Sequence, residues 1–168
     1  RPSGGILNVA DYEWPAIFTT NYDDLVERVF IKAKKPISVL SSNFDFGVRH
    51  APGSTPIYKI HGTIGLDVVD GHRSRLILTA DDNDLCEDYR EALYDRLKAD
   101  LSSFDLLIVG QSLADPDLDA IVRRAVKLRQ SSGVSRSIYL LSYTADESRA
   151  LLYESRGIRV AFGGIDDL

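Results

Sequence analysis

The chain has 168 residues, an ordinary globular composition and a formal net charge of −5 at pH 7. This length suits one domain with a full-sized core, and the acidic balance argues against a nucleic-acid partner, which would usually meet a basic excess. The only cysteine, Cys86, excludes an internal disulfide and a cysteine-rich zinc site, and no apolar run reaches membrane-spanning length. We therefore expect a soluble protein of a reducing, cytoplasmic compartment that has no membrane partner.

The first half of the chain is predicted to contain short strands and one amphipathic helix. The predicted strands are residues 16–20, 36–40, 57–62 and 75–79. The predicted helix, residues 23–33, places its apolar side chains on one face: Leu25, Val26, Val29 and Phe30. The loop that follows the second strand is rich in serine, glycine and proline.

The second half of the chain alternates helices with strands. The predicted helices are residues 80–103, 114–128 and 144–157, and the predicted strands are residues 105–110, 137–142 and 158–162. Asp115 before Pro116 is typical of a helix start, Thr144 with Glu147 forms a capping-box pattern, and Gly157 indicates a helix end. Such alternation needs right-handed crossovers. We predict an α/β fold, a Rossmann-like three-layer sandwich with a mostly parallel sheet.

Small polar residues crowd the ends of three predicted strands. Thr19, Thr20, Asn21, Tyr22 and Asp23 follow the first strand, His61 and Gly62 end the strand 57–62, and Gly110, Gln111, Ser112 and Asp115 follow the strand 105–110. In sheets of this kind ligands bind at the carboxyl ends of the strands. If the strands are parallel, these residues lie on one edge of the sheet.

Each group also has a structural interpretation. Asn21 or Asp23 could cap the following helix, His61 could be a hydrogen-bonded structural histidine, and Gly110 could belong to a tight turn. Together, however, the groups suit a nucleotide whose sugar bond is cleaved. An asparagine amide can hold a sugar hydroxyl or a water molecule, and a histidine can act as a general base near neutral pH. A glycine beside a helix start lets a phosphate or ribose approach the backbone.

Three motifs, in this order, resemble those of the sirtuin superfamily. The segment TTNYD (19–23) resembles the sirtuin TQN-x-D motif, and KIHG (59–62) resembles the catalytic His-Gly. The segment LLIVGQSLADPDL (106–118) resembles the ribose-binding turn, in the version found in bacterial SIR2-like proteins. The resemblance spans Ile17 to Phe162. It implies a SIR2-like domain that uses NAD as its substrate, with the last two strands flanking the adenosine side.

Two departures from the sirtuin pattern refine this expectation. Residues 63–104, where sirtuin deacylases carry paired CxxC motifs, hold one cysteine and a charged helix, so the resemblance is to the branch without zinc. Proteins of that branch are typically NAD hydrolases, many of them in bacterial anti-phage defence. The glycine-rich loop that holds the NAD diphosphate in the family has no counterpart in residues 1–14. We therefore expect residues 1–168 to be a single SIR2-like domain truncated at its N-terminus, with further domains in the parent chain.

The resemblance also implies a role for each site residue. Asn21 would position the attacking water or the nicotinamide ribose, Asp23 would hold the nicotinamide end or orient Asn21, and His61 would accept a proton. The NAD-binding set would be Thr19, Thr20, Tyr22, Gly62, Gly110, Gln111, Ser112 and Asp115, with Gly110, Gln111 and Ser112 at the adenosine-side ribose. The products would be nicotinamide and ADP-ribose.

Two other functions are compatible with these motifs. The domain could bind NAD or ADP-ribose without cleaving it and report it to a partner domain, or it could be a zinc-independent deacylase or ADP-ribosyltransferase. A pure binding module would not need both Asn21 and His61, so their presence favours the enzyme. The sequence leaves homo-oligomer formation open.

Overall fold

The computed structural model describes residues 2–65, 76, 87–110, 116–133 and 136–167. The chain divides into two compact units, residues 1–97 and 98–168. In each unit three parallel strands form one sheet. Parallel neighbours need crossover connections, which agrees with the alternation of apolar runs and amphipathic segments in the sequence.

The first unit is built around strands β1 (Ile17–Thr19), β2 (Ile37–Leu40) and β3 (Thr55–Lys59). Helix α1 (Leu25–Lys32) connects β1 to β2, and 3₁₀ helices cover Gly4–Asp11 and Asn43–Gly47. The strand order is β1-β3-β2, so β3 is central. Ile57 of β3 lies opposite Ile17 on one side and Val39 on the other, and it is fully buried.

The core of the first unit confirms the predicted apolar face of α1. Val29 and Phe30 are buried and pack with Ala10 of the first 3₁₀ helix, while Val26 is partly buried at the edge of the same cluster. A second cluster contains Leu40, Tyr58 and Leu93, of which Leu93 belongs to helix α2 (Glu87–Ser103). These clusters cover the sheet from which the polar residues of the candidate site extend.

The second unit repeats the strand–helix alternation. It contains β4 (Leu106–Val109), α3 (Pro116–Ser132), β5 (Ile138–Ser142), α4 (Glu147–Ser155), β6 (Ile158–Phe162) and a 3₁₀ helix, Ile165–Asp167. The strand order is β4-β5-β6, and its core consists of Ile108, Val122, Val126, Ile138, Leu140, Tyr153 and Ile158. Parallel strands between helices confirm the predicted α/β, Rossmann-like class.

Helix ends show where the predictions hold and where one is wrong. Helix α4 begins at Glu147 and its cap is Asp146, whose Oδ1 accepts a hydrogen bond from the Arg149 amide at 3.0 Å. The predicted cap at Thr144 is therefore wrong. The predicted stop is confirmed, because Gly157 follows the helix with φ +87° and its amide bonds to Glu154 O at 2.9 Å.

The third predicted strand is displaced along the chain. It was expected over residues 57–62, but β3 begins at Thr55 and ends at Lys59, because the chain turns at Ile60 and His61. The predicted strand 75–79, Cys86 and the beginning of the helix predicted at residue 80 lie largely or wholly outside the described residues. None of the helices in the described ranges has the length and apolar character needed to cross a membrane.

Candidate functional site at the carboxyl edge of the first sheet

Two of the three predicted strand ends meet at one edge of the first sheet. Strands β1 and β3 are parallel neighbours, and Thr19 lies opposite Lys59 at their carboxyl ends. The amide of Ile60 donates to the Thr19 carbonyl oxygen at 2.9 Å, which extends the pairing one step beyond the strands. The polar segment after β1 and the His-Gly segment after β3 therefore leave the sheet side by side.

A tight turn presents His61 at this edge. The Gly62 amide donates to the Lys59 carbonyl oxygen at 3.1 Å, so residues 59–62 form a β-turn with His61 at its third position. Gly62 has φ +88°, a conformation that costs glycine little and other residues more. The half-buried His61 ring lies 6.3 Å from the ring of Tyr22, between centroids.

The segment that carries Asn21 is folded by its own side chains. The hydroxyl of Thr19 accepts a hydrogen bond from the Asn21 amide at 3.1 Å. The Asp23 carboxylate accepts one from the Leu25 amide, the first of α1, at 3.0 Å. Asp23 thus holds the first amide of α1 from the residue before the N-cap, which is Asp24 and not the predicted Asn21 or Asp23. The side-chain amide of Asn21 is exposed and bonds to nothing within the described part of the chain. That amide is available to a ligand.

Lys59, Thr63 and Ile64 also donate hydrogen bonds to the main chain of the Asn21 segment. The Tyr22 carbonyl oxygen accepts hydrogen bonds from the Ile64 amide at 3.0 Å and from the Thr63 hydroxyl at 3.4 Å. Lys59 Nζ donates to the Asp23 carbonyl oxygen. We term these three bonds and the Ile60 bond, which run from residues 59–64 to carbonyl oxygens of residues 19–23, the loop tether. It fixes the Asn21 segment against the His61 turn.

Lys59 and Glu27 were not singled out by the sequence analysis. Lys59 is fully buried, and its Nζ lies 3.0 Å from Oε1 of the buried Glu27 in α1. The sequence contains one indication of this pair, the lysine within the apolar run IYKI of a central strand. Lysine is almost never fully buried without a partner, so this position indicates a buried partner of opposite charge. The partner, 32 positions earlier, could not be identified from sequence spacing.

The neighbouring carboxylate, Asp24, faces solvent and is paired. Its Oδ2 lies 2.8 Å from Nε of Arg28, one turn along the helix. The hydrogen bond from Arg28 holds the pKa of the Asp24 carboxyl below its usual value. Asp24 is therefore ionised near neutral pH and is engaged by Arg28, which makes it a poor candidate for proton transfer.

The third predicted strand end belongs to the second unit. Gly110 follows β4 with φ +68°, and no heavy atom of the described residues lies within 4 Å of the position that a β-carbon would occupy. Gly110 lines a cavity of about 300 Å³ at the carboxyl ends of β4 and β5. That volume is at the lower limit for small-molecule sites, about 300–1,000 Å³. The cavity suits one part of a dinucleotide.

The polar lining of this cavity was mostly missed by the sequence analysis. Ser142, Thr144, Asp146 and Arg149 supply it, and the buried Tyr153 contributes to its wall. These residues follow or end β5, and residues after the carboxyl ends of parallel strands are candidates for ligand binding, so their position in the sequence could have identified them. The predicted Gln111, Ser112 and Asp115 lie outside the described residues. Of the predicted residues that the structure describes, Gly110 lies in the second unit. Thr19–Asp23, His61 and Gly62 lie together in the first.

The chain is similar to known proteins over most of its length. A family model described as a SIR2-like domain matches residues 15–161. The NAD(+) hydrolase ThsA of Cytobacillus dafuensis is 30% identical over 116 residues, which are 69% of this chain and 22% of that protein. Defense-associated sirtuin 2 of Bacillus subtilis is 26% identical over 146 residues, 86% of this chain and 14% of that protein.

A third relative, the NAD(+) hydrolase ThsA of Enterococcus faecium, is 34% identical over 106 residues, 62% of this chain and 21% of that protein. The matches thus span less than a quarter of the length of these relatives. The family match extends from before β1 to the last residues of β6 and includes both predicted motifs of the first unit and the glycine turn of the second. The chain belongs to the SIR2-like domain family.

Proposed function

We propose that this domain hydrolyses NAD to nicotinamide and ADP-ribose within a bacterial anti-phage defence protein. The observation that carries the proposal is the loop tether. It holds the Asn21 segment, with its exposed side-chain amide, beside the His61 turn at the ends of neighbouring strands. The similar proteins described above, two NAD(+) hydrolases and a defence-associated sirtuin, support the reaction and the setting.

The chemistry required is cleavage of a glycosidic bond to a good leaving group. As the bond between the anomeric carbon and the pyridinium nitrogen breaks, nicotinamide leaves as a neutral molecule with the electron pair, and positive charge develops on the ribose. Water adds to the anomeric carbon and loses one proton. Asn21 holds the water or a ribose hydroxyl in place, and His61 accepts the proton before it passes to solvent.

The second unit supports a role in binding the adenosine-side ribose. Gly110 leaves room for a ribose close to the main chain, and the cavity beside it offers hydroxyl groups and the Arg149 guanidinium. Gln111 and Ser112 remain predicted ligands of the same ribose, and Asp115 remains a predicted NAD contact. In the first unit, Thr19, Thr20, Tyr22 and Gly62 also remain predicted NAD contacts.

One observation favours a second candidate function, a sensor that binds NAD or ADP-ribose without cleaving it. Among the described residues, all those that line the cavity of the second unit belong to that unit, so binding there needs neither Asn21 nor His61. In addition, the Asp23 carboxylate is already engaged by the Leu25 amide at the start of α1. A sensor would keep the cavity and would give no products.

The deciding experiment measures product release by the full-length protein that contains this domain. Purified protein is incubated with NAD, and nicotinamide and ADP-ribose are quantified by chromatography, with NAD binding measured in parallel by calorimetry. We expect the two products in equal amounts. Binding of NAD or ADP-ribose without products would favour the sensor, and the absence of both binding and products would exclude the two functions.

The structural and the catalytic role of Asp23 can be tested separately. Asp23→Asn keeps an oxygen that can accept the Leu25 amide, so we expect little change in the free energy of unfolding, whereas Asp23→Ala loses this hydrogen bond and should cost about 1 kcal/mol. If the negative charge orients Asn21 or the nicotinamide, Asp23→Asn lowers kcat about five- to tenfold, because hydrogen bonds to charged groups are stronger by about 1 kcal/mol.

The matched control is Asp24→Asn, which removes a carboxylate one residue further along the chain. Because Asp24 is engaged by Arg28 at the surface, this variant should retain the wild-type kcat. Equal kcat values for wild type, Asp23→Asn and Asp24→Asn would leave Asp23 with a structural role only. Thermal unfolding and steady-state nicotinamide release are the two measurements.

A further inference from the structure

Lys59 and Glu27 form an ion pair that stability alone does not explain. The lysine is 0% exposed and the glutamate 8% exposed, and their charged atoms lie 3.0 Å apart. Removing two charges from water carries a large desolvation penalty, and apolar residues of similar volume often serve as well or better in such places. The pair therefore points to a requirement other than stability.

Lys59 contacts both halves of the candidate site. Its ammonium group donates to the Asp23 carbonyl oxygen, two residues after Asn21. Its own carbonyl oxygen accepts the Gly62 amide and closes the turn that presents His61. One residue thus links the segment that carries Asn21 to the turn that carries His61, through its side chain on one side and its main chain on the other.

Glu27 holds the lysine side chain in this position. Its Oε1 accepts from Lys59, and α1 starts directly after the Asn21 segment, so the ammonium is fixed between the helix and the loop. The buried Oε2 of Glu27 has no hydrogen-bond partner among the described residues. The carboxylate therefore depends on Lys59 to balance its charge, and removal of the lysine alone would leave a buried, unpaired anion.

We propose that Lys59, held by Glu27, is a positioning residue that sets the geometry between Asn21 and His61. Its ammonium group is inaccessible and cannot touch a substrate, so its effect is exerted through the Asp23 carbonyl and the loop tether. The catalytic readout of this proposal rests on the proposed NAD hydrolysis. Its structural readout, the order of the Asn21 segment, does not.

The test uses the full-length protein with a double substitution, Lys59→Met with Glu27→Leu. This replacement removes both buried charges together and fills the space with apolar atoms, so we expect a Tm close to that of the wild type, whereas Lys59→Met alone should be much less stable. We expect kcat for nicotinamide release to fall about 100-fold, since a displacement of about 1 Å can cost that much, while KM for NAD changes little.

Two further variants separate positioning from general damage. Lys59→Arg with Glu27→Asp keeps a charge pair of similar total length and should recover part of the lost kcat. Arg28→Met breaks the exposed ion pair on the same helix and should change neither kcat nor Tm. A double variant Lys59→Met with Glu27→Leu that keeps the wild-type kcat would overturn the proposal.

Hydrogen exchange provides the readout that does not depend on turnover. The amides of Ile60 and Ile64 donate to carbonyl oxygens of the Asn21 segment, so their exchange reports on the loop tether directly. We expect faster exchange in the double variant and wild-type exchange in Arg28→Met. If the wild-type protein releases no nicotinamide, the proposed function fails, and exchange alone then decides: faster exchange supports the positioning role, and unchanged exchange overturns it.

Discussion

The His61→Ala protein is expected to release nicotinamide about two to four orders of magnitude more slowly than the wild type, while it remains folded. The imidazole is half-buried in a surface turn, so truncation leaves no large cavity, and the turn itself is closed by main-chain atoms of Lys59 and Gly62. The loss should appear in kcat. Affinity for NAD, measured by calorimetry, should change much less.

His50→Ala is the matched control, because this histidine lies in the loop before β3 and has no assigned role in the site. It should keep the wild-type kcat. If His61→Ala keeps most of the turnover, His61 has no part in the chemistry.

Asn21→Ala is expected to lower kcat about 100- to 1,000-fold, the typical cost of losing one preorganised hydrogen-bond donor at a reacting centre. Its stability should match the wild type. The side chain is exposed and makes no hydrogen bond within the described ranges, and the main-chain amide of Asn21, which donates to the Thr19 hydroxyl, is left in place by the substitution. Nicotinamide release and thermal unfolding measure the two effects.

Asn8→Ala, a change of the same kind in the first 3₁₀ helix, is the control for Asn21→Ala. It should leave kcat unchanged. Wild-type turnover in Asn21→Ala would mean that the polar segment after β1 serves only to start helix α1. Loss of turnover with retained NAD binding, in both Asn21→Ala and His61→Ala, would exclude the sensor, since the wild type would then have measurable chemistry to lose.

Much of the fold could be predicted because hydrophobic periodicity sets the position of strands and helices. Val29 and Phe30 of α1 were placed correctly on a buried face. Errors arose where several residues offer equivalent local chemistry. Thr144 and Asp146 both carry oxygens able to cap a helix, and only the path of the chain after β5 selects Asp146. Because Ile60 is apolar, the strand was predicted to continue past Lys59, where the chain in fact turns.

The candidate site was partly predictable for a similar reason. Polar residues at strand ends, such as Asn21 and His61, stand out from the apolar runs that precede them. The residues that hold them in place do not, because the Lys59–Glu27 pair is distant in sequence and becomes visible only when β3 packs beside α1. The catalytic roles of Asn21, His61 and Asp23 stay predictions, as does the role of Gln111, Ser112 and Asp115 in binding.

The loop tether has a consequence for protein engineering. Its acceptors are main-chain carbonyl oxygens, which every amino acid has. Its hydrogen bonds therefore do not depend on the side chain at most positions of the segment. Positions 20 and 22 can be randomised in a library to alter the candidate site of the first unit while the main-chain bonds around them persist. Positions 27 and 59 should be substituted together, because a change in either alone leaves a buried charge without its partner.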